Sequence, residues 1–349
     1  MWLVTLLVFI LILGIIVLVH ELGHFLWAKK FGVFIHEFSI GMGPVIYSKK
    51  GKDNILYNVR ALPIGGFVSM AGEVYEDDDT VPKEKCLCNK PAWQRIIVMA
   101  AGVVNNFLMA IVLLFVMALI WGSTTLDARV SDVKAGYPMA EAGIVKGDLI
   151  VGINGYKVNT WDEAQIVLYY ENDNDYYEFE IEHVDGERET YKITPVKEKD
   201  EAGNETTVFG VHVNQEETFG LWNKIKYAVV KFGTTIKTMW LTIAGLITGK
   251  ISIDALSGPV GIYTVVGESI NYGLYSVLFL VAYLSINVGV INIIPFPAFD
   301  GGRILFILIE KIKGSPVNQK FENWCHTIGF ALLMLLILFI TIKDIIKLF

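Results

Sequence analysis

From Trp2 to Val19 the chain runs through Leu, Ile and Val without one charged side chain. A stretch of that length and polarity crosses a hydrocarbon core as an α-helix, the only open segment in which every backbone N–H and C=O is satisfied internally. Three further stretches have the same character: about 96–121, with no charge from Ile96 to Trp121; about 274–294, ending at Pro295; and about 327–346, uncharged as far as Ile342. Together with the first, about 2–27, they predict four transmembrane helices in a chain of 349 residues that is 53% hydrophobic.

Basic residues orient these spans. Ten of them, from Lys29 to Arg95, lie between spans one and two, and Arg303, Lys311, Lys313 and Lys320 lie between spans three and four. The positive-inside rule puts both loops in the cytoplasm, with both termini and the long segment between spans two and three outside. The apolar N-terminus lacks the basic start and small-residue cleavage site of a signal peptide, so it reads as a retained span. A net charge of −7 argues against nucleic acid as a partner. Cys86, Cys88 and Cys325 make no disulfide framework and fit thiols on a reducing side.

The segment between spans two and three reads as a domain of its own, about 123–215. A strand is expected over Val130–Val133, a short helix over Tyr137–Gly143, and a turn, strand and Asn-Gly turn over Gly147–Gly155. A helix is expected over Trp161–Tyr170 and an alternating strand over Tyr176–Ile181. This order, with the residues PMAEAGIVKGDLIVGINGYKV, resembles a PDZ domain of the circularly permuted bacterial type. Such domains bind peptide ends by adding a strand to an open sheet edge. Beyond it, 219–250 carries Lys224, Lys226, Lys231 and Lys237 among Trp, Val and Ile, the pattern of an amphipathic helix lying on the membrane surface. Gly258-Pro259-Val260-Gly261-Ile262 reads as a turn. The fold class is therefore an α-helical polytopic membrane protein with an inserted mixed α/β domain and a membrane-associated β-segment in 28–95.

His20-Glu21-Leu22-Gly23-His24 closes the first apolar run. HExxH sets two imidazoles one helical turn apart on one face, within reach of a single Zn²⁺, with Glu21 between them to act on water. A zinc site needs a third protein ligand, and none follows His24 closely. His36 and Glu37 lie past Lys29-Lys30 in an extended segment. Asp300, at the edge of the third apolar segment, is a carboxylate that calls for a partner, and a cation at His20 and His24 supplies one. Pro295 and Pro297 break the helix before it, and Gly301-Gly302 permit close backbone packing.

The pairing of HExxH with Asn292-Ile-Ile-Pro-Phe-Pro-Ala-Phe-Asp300-Gly-Gly resembles the site-2 protease family of intramembrane zinc metalloproteases. Phe299 stands where the family usually has Leu, and Gly102-Val103 where it usually has Gly-Pro. Leu62–Val68 matches the family's cytoplasmic β-segment, and Asn89–Arg95 with Ala101–Phe107 matches the start of its second span. With one PDZ insert between spans two and three, the chain resembles the RseP-like bacterial subgroup. The resemblance implies zinc held by His20, His24 and Asp300, with Glu21 as general base. It also implies cleavage of single-span membrane proteins, such as anti-sigma factors or signal-peptide remnants, in regulated intramembrane proteolysis. The candidate substrate-binding residues are Asn292, which can reach the substrate backbone or oxyanion; Gly65, Gly66 and Phe67, which can hold an unwound substrate as an added strand; and Asn287, more weakly. The PDZ domain would admit only substrates already trimmed outside.

Two other readings stand beside this one. A non-enzymatic membrane PDZ adaptor would keep the metal for structure, but structural zinc sites take four protein ligands and only three are found. A metal transporter would need more polar side chains inside the spans than this chain has.

Overall fold

The computed structural model describes residues 2–73, 81–171, 174–199 and 205–347. The chain divides into two compact units, residues 1–113 with 256–349, and residues 114–255.

The first unit opens with α1 (Trp2–Lys30), apolar on every face until His20. Ile12 and Ile16 pack inward while Leu3, Leu7 and Leu11 point out, as expected of a helix with protein on one side and lipid on the other. Lys29 and Lys30 in its last turn complement the carbonyl end of the helix dipole. Two long strands follow, β1 (Ile35–Lys50) and β2 (Leu56–Met70). Each bends and is used twice. Leu56–Val59 pairs with Glu37–Ile40 on one side and with Tyr47–Lys50 on the other, while Gly66–Ser69 pairs with the far edge of Glu37–Ile40. Two strands thereby make four rungs, in which the 37–40 and 56–59 segments run side by side in the same direction and the two outer pairings are antiparallel; among the described residues the 66–70 rung ends the sheet. The bend at Gly41 has φ +87°, and a Cβ there would stand 2.5 Å from the Leu62 carbonyl oxygen, so only glycine fits. Two short 3₁₀ turns lead to α2 (Ala92–Trp121). It lies so close to α1 that a Cβ on Gly23 would be 2.3 Å from the Ala101 oxygen.

The second unit carries β3 (Ser123–Thr124), β4 (Asp132–Val133), the short α3 (Pro138–Glu141), β5 (Leu149–Ile153), β6 (Tyr156–Lys157), α4 (Trp161–Tyr170), β7 (Tyr177–Glu182) and β8 (Arg188–Ile193). After these come β9 (Val196–Lys199), β10 (Glu205–Val208), β11 (Val211–His212), β12 (Glu217–Thr218) and α5 (Leu221–Thr248). The main sheet has the order β6-β5-β7-β8. Alternation along β7 sends Tyr177, Phe179 and Ile181 into a core shared with Ile150, Ile153 and Val167. Thr160 caps α4 by accepting the Glu163 N–H at 3.3 Å. The order expected between 130 and 181 is present, and β8 to β12 are additions that the sequence pattern does not announce. Helix α5 lies against α4: Lys237 Nζ is 2.6 Å from the buried Glu163 carboxylate, and Lys231 pairs with Asp162. Trp222, Ile225, Val229, Trp240 and Ile247 of α5 remain exposed.

The chain then returns to the first unit with α6 (Pro259–Tyr272), α7 (Leu274–Ile293), α8 (Asp300–Lys313) and α9 (Gln319–Lys347). Here the sequence reading needs correction. Gly258–Ile262 is the start of a helix, not a turn. Pro259 sits at its first position, where a missing N–H costs nothing. The Asp344 carboxylate, from the far end of the chain, accepts the Gly258 and Gly261 N–H groups at 2.8 Å each. The third apolar helix stops at Ile293, and Asp300 opens a separate amphipathic helix that the sequence reading did not foresee. Among the described residues, four helices are long and apolar enough to cross a membrane: α1, α2, α7 and, over Lys320–Lys347, α9.

Candidate metal centre

One turn of helix separates His20 from His24 on the buried side of α1, where they are 7% and 5% exposed. Their rings meet edge to face, and the two Nε2 atoms are 3.2 Å apart. Asp300 Oδ2 lies 3.0 Å from His20 Nε2 and 3.4 Å from His24 Nε2. Asp300 arrives from the first turn of α8 because the backbone is forced to reverse after α7. Pro295 and Pro297 contribute no N–H to a continuing helix. Ala298 adopts φ +89°, and its N–H donates to His326 Nδ1 of α9 at 3.1 Å. Gly301 and Gly302 then pass the carbonyls of Ile293 and Phe296 so closely that a Cβ on either would fall 2.3 Å from an oxygen.

Three donor atoms within 3.4 Å of one another need something positive between them. Asp300 Oδ2 is buried and receives no hydrogen bond. The His24 Nδ1–H donates to the Val98 carbonyl at 2.8 Å, which leaves its Nε2 lone pair facing inward. Tetrahedral coordination at about 2.0–2.2 Å by nitrogen and oxygen sets donor atoms roughly 3.3–3.6 Å apart, and the spacings here, 3.0–3.4 Å, lie within a few tenths of an ångström of that. The three residues are therefore a fit for a metal ion. Among the described residues no fourth His, Cys, Asp or Glu joins them, so such a site keeps a position open.

Glu21 Oε2 accepts the Val68 N–H at 3.1 Å. Val68 lies on the terminal rung of the sheet, so the glutamate is moored to a strand edge with no further strand beside it among the described residues. A cavity of about 320 Å³ joins these groups, lined by His20, Glu21, His24, Asp300, Phe67, Val68, Asn292 and Arg303 among others. The structure thus brings together His20, Glu21, His24, Phe67, Asn292 and Asp300. Gly65 and Gly66 stand just outside, at the bend and start of the 66–70 rung rather than in a hairpin turn. Asn287 does not line the cavity, and its Oδ1 is buried without a hydrogen-bond partner.

Sequence reasoning missed two participants. Arg303, one turn after Asp300, lines the cavity and pairs with Glu73 at 2.5 Å. Gly102 faces the two imidazoles, and a Cβ there would lie 2.6 Å from His24 Nε2 and 2.7 Å from His20 Nε2. The second was within reach of the sequence: a glycine inside an uninterrupted apolar span signals close approach of a neighbour.

Comparison with known proteins places these features in a group. The family model described as Peptidase family M50 matches residues 8–336. Regulator of sigma-W protease RasP of Bacillus subtilis is 31% identical, with 99% of each chain covered. Zinc metalloprotease RasP of Bacillus licheniformis is 33% identical over 99% of each chain. A protein of Fusobacterium nucleatum reaches 39% identity, again over 99% of each chain.

Proposed function

This chain belongs to Peptidase family M50 and is a zinc metalloprotease with membrane-spanning helices, and on that premise we propose that it cuts peptide bonds within or beside transmembrane segments of single-span membrane proteins. The observation that carries the reading is the convergence of His20, His24 and Asp300 beside Glu21 at the end of an apolar helix.

His20, His24 and Asp300 would hold the zinc. When bound, zinc supplies Lewis acidity toward the scissile carbonyl and the attacking water. Glu21 takes a proton from that water as its oxygen bonds to the carbonyl carbon, then returns the proton to the amine nitrogen as the C–N bond breaks. Asn292, on the cavity wall, donates its side-chain N–H to the substrate backbone or the oxyanion. A substrate helix hides its carbonyls in i→i−4 hydrogen bonds and must unwind before they are reached. The open edge of the Gly66–Met70 rung offers that unwound stretch a strand to pair with, and Phe67 and Val68 already face the cavity. Unwinding in lipid leaves polar groups bare, so helix-weakening residues near the cut mark a substrate.

The basic loops between spans one and two and between three and four are cytoplasmic, with both termini and the segment between spans two and three outside. Residues 123–215 form a permuted PDZ domain, a reading supported by the strand–helix order around Gly147–Gly155. It acts as a size filter for substrates trimmed outside, and its open sheet edges suit peptide ends. The exposed apolar stripe of α5, from Trp222 to Ile247, rests on the lipid surface. Closed structural zinc sites have four protein ligands, so the three-residue set favours protease over adaptor.

The test is Glu21→Gln in purified protein with a single-span substrate. Zinc content is expected to stay at the wild-type level while cleavage falls roughly 10²–10⁴-fold, the loss expected of a general base. Cleavage at the wild-type rate would remove Glu21 from the chemistry.

A further inference from the structure

Three successive positions of α2, Val98, Gly102 and Asn106, recur at i, i+4 and i+8 and so form one stripe along the helix. The stripe runs past the two histidines of α1. Val98 meets His24 through its carbonyl, and Gly102 gives both rings room. Asn106 meets His20: its side-chain nitrogen is 3.4 Å from His20 Nδ1. Asn106 is 0% exposed, and its Oδ1 is buried with no hydrogen-bond partner. Its backbone carbonyl accepts the hydroxyl of the fully buried Ser285 at 2.9 Å, which fixes this turn of α2 against α7.

A histidine that gives Nε2 to a metal carries its proton on Nδ1, and that N–H needs an acceptor. For His24 the acceptor is the Val98 carbonyl. For His20 the group at that position is the Asn106 carboxamide, whose oxygen and nitrogen ends are isosteric. Exchanging the ends gives the orphaned oxygen the Nδ1–H of His20. A fully buried amide in a lipid-spanning helix is costly unless it has such work. We propose that Asn106 is a positioning residue for the metal centre: its side-chain oxygen accepts the His20 Nδ1–H, fixing the tautomer and ring orientation that present Nε2 to zinc. The inference rests on the reading of His20 as a ligand. It makes α2 a rail that sets both imidazoles, one through a backbone carbonyl and one through a side chain.

The test measures zinc affinity of the full-length protein in detergent, by competition with chelators of graded strength and elemental analysis of the metal retained. Asn106→Leu removes the acceptor at similar volume and is expected to weaken zinc roughly 10–100-fold. Asn106→Asp keeps an oxygen in place and is expected to hold zinc within a few-fold of wild type. In a His20→Ala background, Asn106→Leu is expected to cause no further loss, because its route to the metal is gone. Asn106→Ser, too short to reach Nδ1, runs beside the Leu variant in case that one does not fold. Affinity within twofold of wild type in both Leu and Ser variants would overturn the proposal. So would an equal loss in Leu and Asp variants, or an undiminished effect of Leu when His20 is absent. If wild-type zinc is untouched by His20→Ala, the ligand assignment itself has failed, a result distinct from failure of Asn106 alone.

Discussion

Replacing Gly102 by alanine separates helix propensity from metal-site geometry, because the two push in opposite directions. In an open helix position the change gains about 0.8–1.0 kcal/mol from propensity. Gly102 is not open: the new Cβ would sit 2.6 Å from His24 Nε2 and 2.7 Å from His20 Nε2, where ordinary contact begins near 3.4 Å. The rings or the α2 backbone must therefore yield about 0.8 Å, the difference between those distances. Overpacking of that kind costs about 1–3 kcal/mol, which offsets the propensity gain and leaves stability between unchanged and about 2 kcal/mol lower. The larger effect falls on the site, since a displacement of about 1 Å in a catalytic constellation costs on the order of 10²-fold in rate. Purified Gly102→Ala is expected to cleave a single-span substrate about 100-fold more slowly and to release zinc to weaker chelators than wild type. Gly233→Ala is the control: Gly233 is an interior position of α5, and a Cβ there meets nothing within 4 Å. The control is expected to raise the melting temperature and leave cleavage unchanged. A Gly102→Ala protein that melts higher and cleaves at the wild-type rate would refute the close packing of α2 on the imidazoles.

Two further outcomes test how the site is held. Asp344→Leu leaves the Gly258 and Gly261 N–H groups without their 2.8 Å acceptor, and about 1–3 kcal/mol of stability should go with it. Hydrogen exchange at those two amides should accelerate; unchanged protection would remove Asp344 as the cap of α6. Ala298→Gly relieves a non-glycine residue at φ +89°, worth about 1–2 kcal/mol, and should raise the melting temperature while zinc affinity holds. A fall in melting temperature would mean that the alanine conformation is not strained.

Local patterns carried much of the architecture. Four apolar runs specify four long helices because a chain in lipid has no other way to satisfy its backbone. HExxH specifies its own geometry, since helical pitch alone puts His20 and His24 on one face. Thr160 and its following helix, or the alternation of Tyr177, Phe179 and Ile181, are equally local. What escaped the reading is non-local. Gly258-Pro259 looks like a turn until Asp344, some 86 positions away, supplies the missing cap. The double use of β1 and β2 depends on bends whose partners lie on the opposite strand. Helix α8 was concealed because Asp300-Gly301-Gly302 resembles the end of a helix; only contact with the carbonyls of Ile293 and Phe296 shows why glycines begin one.

The sequence by itself determined that the chain is a set of membrane-length helices bearing two histidines and a glutamate in register, because spacing and hydrophobicity act over a few residues. The motif around Asp300 nominated the carboxylate, but its approach to within 3.4 Å of both imidazoles, the amide that orients His20 and the strand edge beside Glu21 were decided by tertiary packing. Those pairings join residues from 47 to 280 positions apart, and no periodicity along the chain encodes a distance that only the folded helices and sheet create.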